Sequence, residues 1–186
     1  MRIIAGKAKG FRLKAPKGLE VRPTADRVKE TLFNILRDKL YDATVLDLFG
    51  GTGNLGLEAL SRGAASAVFF DVAPKSLNII KENILYTQME AFCEVKKTDA
   101  LQGIRFFSSK GQIFDLVFCD PPYNRGWIGK VLAELDTAKS ILAPQGVLVV
   151  EYSAHETLPD NLKFLEVKRT EKFGETQIAF VMRKKE

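Results

Sequence analysis

Residues 44–56 read Thr44-Val45-Leu46-Asp47-Leu48-Phe49-Gly50-Gly51-Thr52-Gly53-Asn54-Leu55-Gly56. A short apolar run, Val45–Phe49, stops at a cluster of glycines, and an amphipathic helix over Leu55–Arg62 follows, closed by Gly63. An apolar run of this length bounded by turn residues fits a strand buried on both faces, and glycine just past a helix is a common C-terminal stop. The same alternation continues downstream. Ala67–Phe70 is a strand ending at Asp71, and Pro74 opens a helix whose stripe is Leu77, Ile80, Ile84 and Leu85. Cys93–Lys97 ends near Asp99, Phe114–Cys119 ends at Asp120, and a helix around Trp127–Lys139 precedes a fifth strand, Gly146–Glu151. Strands alternating with helices of this length indicate βαβ units and a mostly parallel sheet, an α/β fold. The last two stretches, Phe164–Glu171 and Thr176–Met182, are expected to pair as an antiparallel hairpin.

Upstream, Arg2–Lys7 and Phe11–Lys14 flank Ala8-Lys9-Gly10 and read as a short β-hairpin or extended arm. Pro16 and Gly18 break it. Arg22-Pro23-Thr24 then leads into a helix with Val28, Leu32, Ile35, Leu36 and Leu40 on one face. Residues 1–40 are thus an extension ahead of a main domain at 41–186. The extension is basic: residues 1–22 carry seven cationic side chains and one acid, net +6 of a total of +5, so the remainder sums to −1. That asymmetry suits a polyanionic partner, although a lysine-rich solvated hairpin has the same composition.

Length and a 46% hydrophobic share fit one globular domain plus an extension. No apolar run reaches the roughly 20 residues that span a bilayer, and the first residues lack a signal-peptide core. The two cysteines, Cys93 and Cys119, have no C-x-x-C spacing, which argues against a disulfide framework or zinc site and suits a reducing cytoplasm.

In parallel sheets, ligands bind outside the carboxyl ends of the strands. Here those ends carry the glycine loop, Asp71, Asp99 and Asp120. Gly51-Thr52-Gly53-Asn54-Leu55-Gly56 matches G-x-G-x-x-G, and Asp71 follows Gly51 by 20 residues. Such glycines let the backbone approach a ligand, and the acid can accept both hydroxyls of a ribose. The pattern indicates an adenosine-type cofactor and, alone, also fits a dinucleotide-binding dehydrogenase. Asp47 separates the two, because a dehydrogenase strand carries apolar residues there. Its carboxylate can face a cationic ligand end such as an α-amino group or its bound water, or can cap the loop amides. Asp99 can accept from an adenine amine with the Ala100 amide at the ring edge, and reads equally well as a helix N-cap.

Asp120-Pro121-Pro122-Tyr123 is the most specific signal. Two prolines fix φ and remove donors, so they make a rigid segment that aims the Asp carboxylate and the Pro121 carbonyl at one point. Two acceptors bind both hydrogens of an amine and leave its lone pair facing an electrophile, while Tyr123 can stack on a base. This is the geometry for in-line transfer of a sulfonium methyl group to an exocyclic base amine. Alignment matters more than a strong base there, with Asp120 orienting the amine and accepting its proton. The base must be extruded or single-stranded to enter such a pocket.

Beyond these motifs, the chain resembles the RsmD family, bacterial methyltransferases acting on guanine N2 of the small-subunit (16S) rRNA. The resemblance runs from Arg2-Ile3-Ile4-Ala5-Gly6-Lys7 through Arg22–Leu36, Asp47–Gly53, Gly56–Ala64 and Asp120–Tyr123 to Phe173-Gly174-Glu175-Thr176. It implies a class I, Rossmann-like S-adenosylmethionine-dependent sheet of seven strands with an antiparallel last strand. It implies cofactor contacts at Asp47, Phe49, Gly50, Gly51, Thr52, Gly53, Asp71, Asp99, Ala100 and Thr24. It also implies RNA contacts at Lys7, Lys9, Arg12, Lys14, Arg22 and Arg27. Thr24 as a helix cap and the arginines as surface charge remain alternatives. The expected partner is 16S rRNA in a small ribosomal subunit or its assembly intermediate, met by a monomer in the cytoplasm. Gly50-Gly51-Thr52 stands where Ala-Gly-Ser is commoner in the family. His155 reads as loop surface, Cys119 and Phe33 as core, and Trp127 as a candidate stacking ring. Competing readings are an adenine-N6 methyltransferase and a non-catalytic rRNA-binding assembly factor.

Overall fold

The computed structural model describes residues 1–16, 23–137 and 140–185. Seven strands form one sheet: β1 Thr44–Asp47, β2 Ser66–Asp71, β3 Cys93–Lys97, β4 Phe114–Cys119, β5 Leu142–Ser153, β6 Leu165–Phe173 and β7 Thr176–Arg183. The order is β3-β2-β1-β4-β5-β7-β6, with β1 to β5 parallel. β7 lies between β5 and β6, antiparallel to both. The chain therefore starts at β1 in the middle, builds outward to β3, and returns to start again at β4. That reversal leaves a crevice above the carboxyl ends of β1 and β4.

Among the described residues, five α-helices cover the sheet: α1 Pro23–Ile35, α2 Asn54–Ser61, α3 Pro74–Tyr86, α4 Ala100–Ser109 and α5 Trp127–Leu135. Alternate strand residues point to opposite faces, and this sorts the core. Val45, Phe69, Phe118 and Val149 pack with Leu32, Phe33, Leu57 and Ile80 of α1 to α3. Their neighbours Leu46, Phe70, Val117 and Val150 pack with Ile104, Phe107, Ile128 and Val131 of α4 and α5. Phe33 is a core residue as expected, fully buried against the Phe118 ring at 5.7 Å. Cys119 is buried, and its thiol is pushed up by burial, then by the charges of Asp120 and Asp47, which removes it as a nucleophile.

The structure moves some boundaries. β1 stops at Asp47, and Leu48 and Phe49 belong to the following turn. β5 starts four residues before Gly146, because a shift in its pairing with β4 absorbs Ala143–Gln145. The amino-terminal arm closes as a hairpin through Ile3 N–H to Phe11 (3.0 Å) and Gly10 N–H to Ile3 (2.9 Å), but holds one bridge pair, Arg2 with Arg12, rather than a ladder. Gly6 explains part of this: its φ is +84°, and a Cβ would lie 1.8 Å from the Ser61 carbonyl oxygen. The arm is pressed onto α2, and Ile3, Ala8 and Leu13 join the core beneath α1 to α3.

Two buried polar hubs fasten the arm. Glu58, fully buried on α2, accepts from Ile4 N–H (2.8 Å), Ala5 N–H (3.1 Å), Arg62 Nε (2.7 Å) and Lys29 Nζ (3.0 Å). Lys29 also donates to the Arg2 carbonyl and to Asn54 Oδ1 (2.7 Å), and burial lowers its pKa against the pull of Glu58. Asn83 of α3 accepts from Lys14 N–H (2.8 Å) and donates to the carbonyls of Lys14 (3.0 Å) and Thr52 (2.8 Å).

Candidate active site

The glycine loop follows β1 into α2. Gly51 and Gly53 have φ of +57° and +79°, left-handed values that side chains with a Cβ disfavour. Gly53 is the N-cap of α2 and offers no side chain, so the first turn of that helix meets the crevice with bare backbone. Asp71, at the end of β2, grips this loop: Oδ2 accepts from Gly51 N–H (3.0 Å) and Oδ1 from Ala73 N–H (2.8 Å). Its carboxylate thus already shapes the loop, while lone pairs remain for a ribose.

Asp47 is the most unusual carboxyl in the crevice. It is 1% exposed, and Oδ1 has no hydrogen-bond partner among the described residues. Burial pushes its pKa up to about 7, against hydrogen bonds from the Phe49 and Gly56 backbone N–H groups and with a further push from Asp71. Asp47 thus steadies the Phe49 and Gly56 amides and leaves one oxygen unmatched among the described residues. An orphaned buried acceptor costs about 1–3 kcal/mol. A cationic donor placed against it would remove that cost.

Across the crevice stands Asp120, immediately after β4. Its carboxyl is held well above the usual carboxylate range by burial, then by the charges of Glu151 and Asp47. Pro121 is buried and Pro122 exposed, so the rigid pair runs from core to surface. Tyr123 is anchored by its hydroxyl, which donates to Glu151 Oε1 (2.6 Å) and lies 3.2 Å from Thr176 Oγ1. Burial and the Glu151 charge push the phenol up, so it stays a donor. Glu151 is itself raised by burial, which the Tyr123 hydrogen bond opposes.

Motifs alone do not single out Glu151 or Thr176. A signal for Glu151 is nevertheless present, since it is an acid ending an apolar strand like Asp71 and Asp120. Thr176 carries no such mark, because it reaches the site only through the antiparallel insertion of β7 beside β5 (Ser153 opposite Thr176).

The remaining candidates differ in their surroundings. Asp99 caps α4, with Oδ1 accepting from Leu101 (2.9 Å) and Gln102 (3.0 Å), and Ala100 is buried behind it. Phe49 packs edge-on against Trp127 at 5.5 Å, beside the glycine loop. Gly50 donates its N–H to the Phe70 carbonyl (2.7 Å), and Thr52 is buried with Oγ1 near Met1 Sδ (3.1 Å). Arg22 lies outside the described residues, as does the side chain of Thr24. Lys9, Arg12 and Arg27 are exposed, Lys14 is paired with Glu82 (3.0 Å), and Lys7 lines a hollow with Asp42 and Gln88. These last two residues precede β1 and β3, so Lys7 lies at the pole away from the crevice. His155 is surface, paired with Glu175 at 3.0 Å.

The family model described as conserved hypothetical protein 95 matches residues 1–182. The chain belongs to this family. The resemblance to RsmD is borne out by its relatives. The Ribosomal RNA small subunit methyltransferase D of Escherichia coli K12 is 38% identical over 160 residues, 86% of this chain and 78% of that one. The Putative rRNA methyltransferase YlbH of Bacillus subtilis is 34% identical over 179 residues, 96% and 97% of the two chains. The solved structure of the putative methyltransferase yhhF from Escherichia coli superposes with a TM-score of 0.83 at 33% identity, covering 100% and 99%. A SAM-dependent methyltransferase from Agrobacterium tumefaciens shares the fold at TM-score 0.62 and 25% identity, over 78% of this chain and 50% of that one.

The buried Asp47 leads to an expected pH dependence of ligand affinity. A raised Asp pKa means that Asp47 is neutral below about pH 7 and charged above it. A ligand with an ammonium end binds the charged form, so its Kd should rise up to tenfold per unit as pH falls below 7. Calorimetric titration with S-adenosylmethionine across pH 5.5–8.5 is expected to show this, and D47N should abolish the slope. A D47N protein with the wild-type profile would remove Asp47 from the cofactor site.

Proposed function

We propose that this chain transfers a methyl group from S-adenosylmethionine to the exocyclic N2 amine of a guanine in 16S rRNA, on a small ribosomal subunit or its assembly intermediate. The methyltransferase and rRNA components are supported by the full-length family match and by the relatives' names. The choice of guanine N2 rests on the RsmD resemblance together with the crevice. The single observation that carries the reaction is the facing pair of strand ends, an unmatched Asp47 oxygen on β1 and the rigid Asp120 segment on β4.

When bound, S-adenosylmethionine supplies an electrophilic methyl group on a sulfonium sulfur. The residues present fit it: Asp47 meets the amino end, the Gly50–Gly53 backbone admits the close approach, and Asp71 remains able to accept from ribose. Asp120 and the Pro121 carbonyl accept the two amine hydrogens, which directs the nitrogen lone pair across the crevice. After transfer the amine proton leaves to Asp120, whose raised pKa suits that role. Tyr123, fixed by Glu151 and Thr176, offers its ring to the extruded base.

Incubation with labelled S-adenosylmethionine and small subunits from a strain lacking this activity is expected to label one rRNA guanine at N2. Label on adenine N6, or binding without label, would replace this reading by one of its two rivals. The exposed Lys9 and Arg12 are proposed as arm contacts to RNA phosphates. Neutralising both should lower the salt slope of RNA affinity by about two, roughly one for each phosphate neutralised. Neutralising Lys14, already paired with Glu82, should change it little. Equal slopes for wild type and the double variant would remove the arm from the RNA interface.

A further inference from the structure

Five cations line one open cleft of about 570 Å³: Lys39, Lys168, Arg183, Lys184 and Lys185. Among the described residues no acid lines it. Its position follows from strand direction. β7 runs antiparallel to β5 with Leu148 opposite Val181, so Arg183 and the residues after it lie at the amino end of β5. Lys39 precedes β1 and its Nζ donates to the Gln145 carbonyl (3.2 Å) at that same end. The cleft therefore opens on the pole opposite Asp120 and Glu151. From Gln145 to Glu151 the strand spans six residues, roughly 20 Å.

Three of the cations are held in place. Lys39 has the Gln145 carbonyl, Lys184 Nζ donates to the Leu162 carbonyl (2.6 Å), and Lys168 pairs with Glu166 (2.6 Å). The side chains of Arg183 and Lys185 have no hydrogen bond or ion pair among the described residues. Gathering like charges around one concavity raises their mutual repulsion unless a polyanion neutralises them. Pro144 and Met182 are the apolar side chains in the lining, among the described residues. An arginine beside several lysines in a concave setting is suited to backbone phosphates.

We infer that this cleft is a second RNA-backbone site, holding phosphates of a folded RNA whose target base occupies the crevice at the other pole. The inference rests on the RNA substrate proposed above. It adds that recognition spans both poles of the sheet. Spanning roughly 20 Å takes about six stacked nucleotides at ~3.4 Å each, so an RNA of only a few nucleotides in the crevice leaves the cleft empty, whereas a folded rRNA reaches both.

The test compares wild type with the R183Q/K185Q variant, which leaves Lys39, Lys168 and Lys184 with their partners and the catalytic residues unchanged. Filter binding to small-subunit rRNA, to intact small subunits and to a short hairpin carrying the target guanine is measured across a salt series. Expected for the variant is about tenfold weaker binding to both large substrates. Its salt slope should fall by about one for each phosphate no longer neutralised, and its hairpin binding should stay unchanged. Unchanged binding to small-subunit rRNA would overturn the inference. So would an equal loss on the hairpin, which would mean a general electrostatic effect. A loss on subunits but not on naked rRNA would assign the cleft to a ribosomal protein, and would also overturn it. Methylation by the wild type is followed in parallel, so failure of the enzymatic reading appears as absent label and not as an altered variant.

Discussion

Asp120→Ala is expected to lower kcat for methyl transfer by about a thousandfold, within the range for a positioned acid–base group, while changing the S-adenosylmethionine Kd by no more than about threefold. The carboxyl stands at the end of β4, where Pro121 and Pro122 leave its backbone little freedom. Burial, Glu151 and Asp47 together raise its pKa. The sign follows from the proposed reaction: if the ionised form orients the amine and receives its proton, activity falls as pH drops through the raised pKa. D120N keeps a carbonyl acceptor at the same place but cannot take the proton. It should fall between wild type and alanine and lose the acidic limb of the profile. Single-turnover kinetics separate this from product release. An alanine variant with wild-type kcat would take Asp120 out of the chemistry.

The second large effect lies away from the reaction. Glu58→Ala is expected to destabilise the fold by about 3–5 kcal/mol, the loss typical of removing one partner from a buried ion pair. Four donors converge on that carboxylate, and Lys29 is only 4% exposed. Without Glu58, the Ile4 and Ala5 amides lose their acceptor, and the buried Lys29 ammonium loses its counter-charge and keeps only the Arg2 carbonyl and Asn54. Urea unfolding should show the loss, and hydrogen exchange should show earlier opening at Ile4 and Ala5 than in β1. K29M/E58L, which removes both charges, should recover part of the stability. A loss below about 1 kcal/mol for E58A would mean that water reaches the hub.

The two residues are unequally visible in the sequence. Asp120 announces itself, because an acid and two prolines after an apolar strand have a narrow chemical use. Glu58 sits in Leu55–Leu60, an otherwise apolar stretch, and that misplaced charge is the only hint of a buried partner. Nothing local says that the partner is Lys29, 29 residues earlier, or that the arm's backbone joins them. Glu151 lies between these cases: it obeys the strand-end rule, but its link to Tyr123 depends on which strand lies next to β4.

What the sequence by itself determined is what short-range physics encodes. The glycine loop, the strand–helix alternation, the acids at strand ends and the Asp120–Tyr123 segment follow from periodicity, φ preference and the chemistry of adjacent residues. Tertiary structure alone decided the rest. Thr176 joins the site because β7 inserts beside β5, and Asp47 is left with an unmatched oxygen because helices and strands from both sides bury it. The basic arm is clamped to α2 and α3 through Glu58 and Asn83, and five cations from distant segments share one cleft at the far pole. These are long-range coincidences in space. They are set by strand order and burial, and by no local pattern of residues.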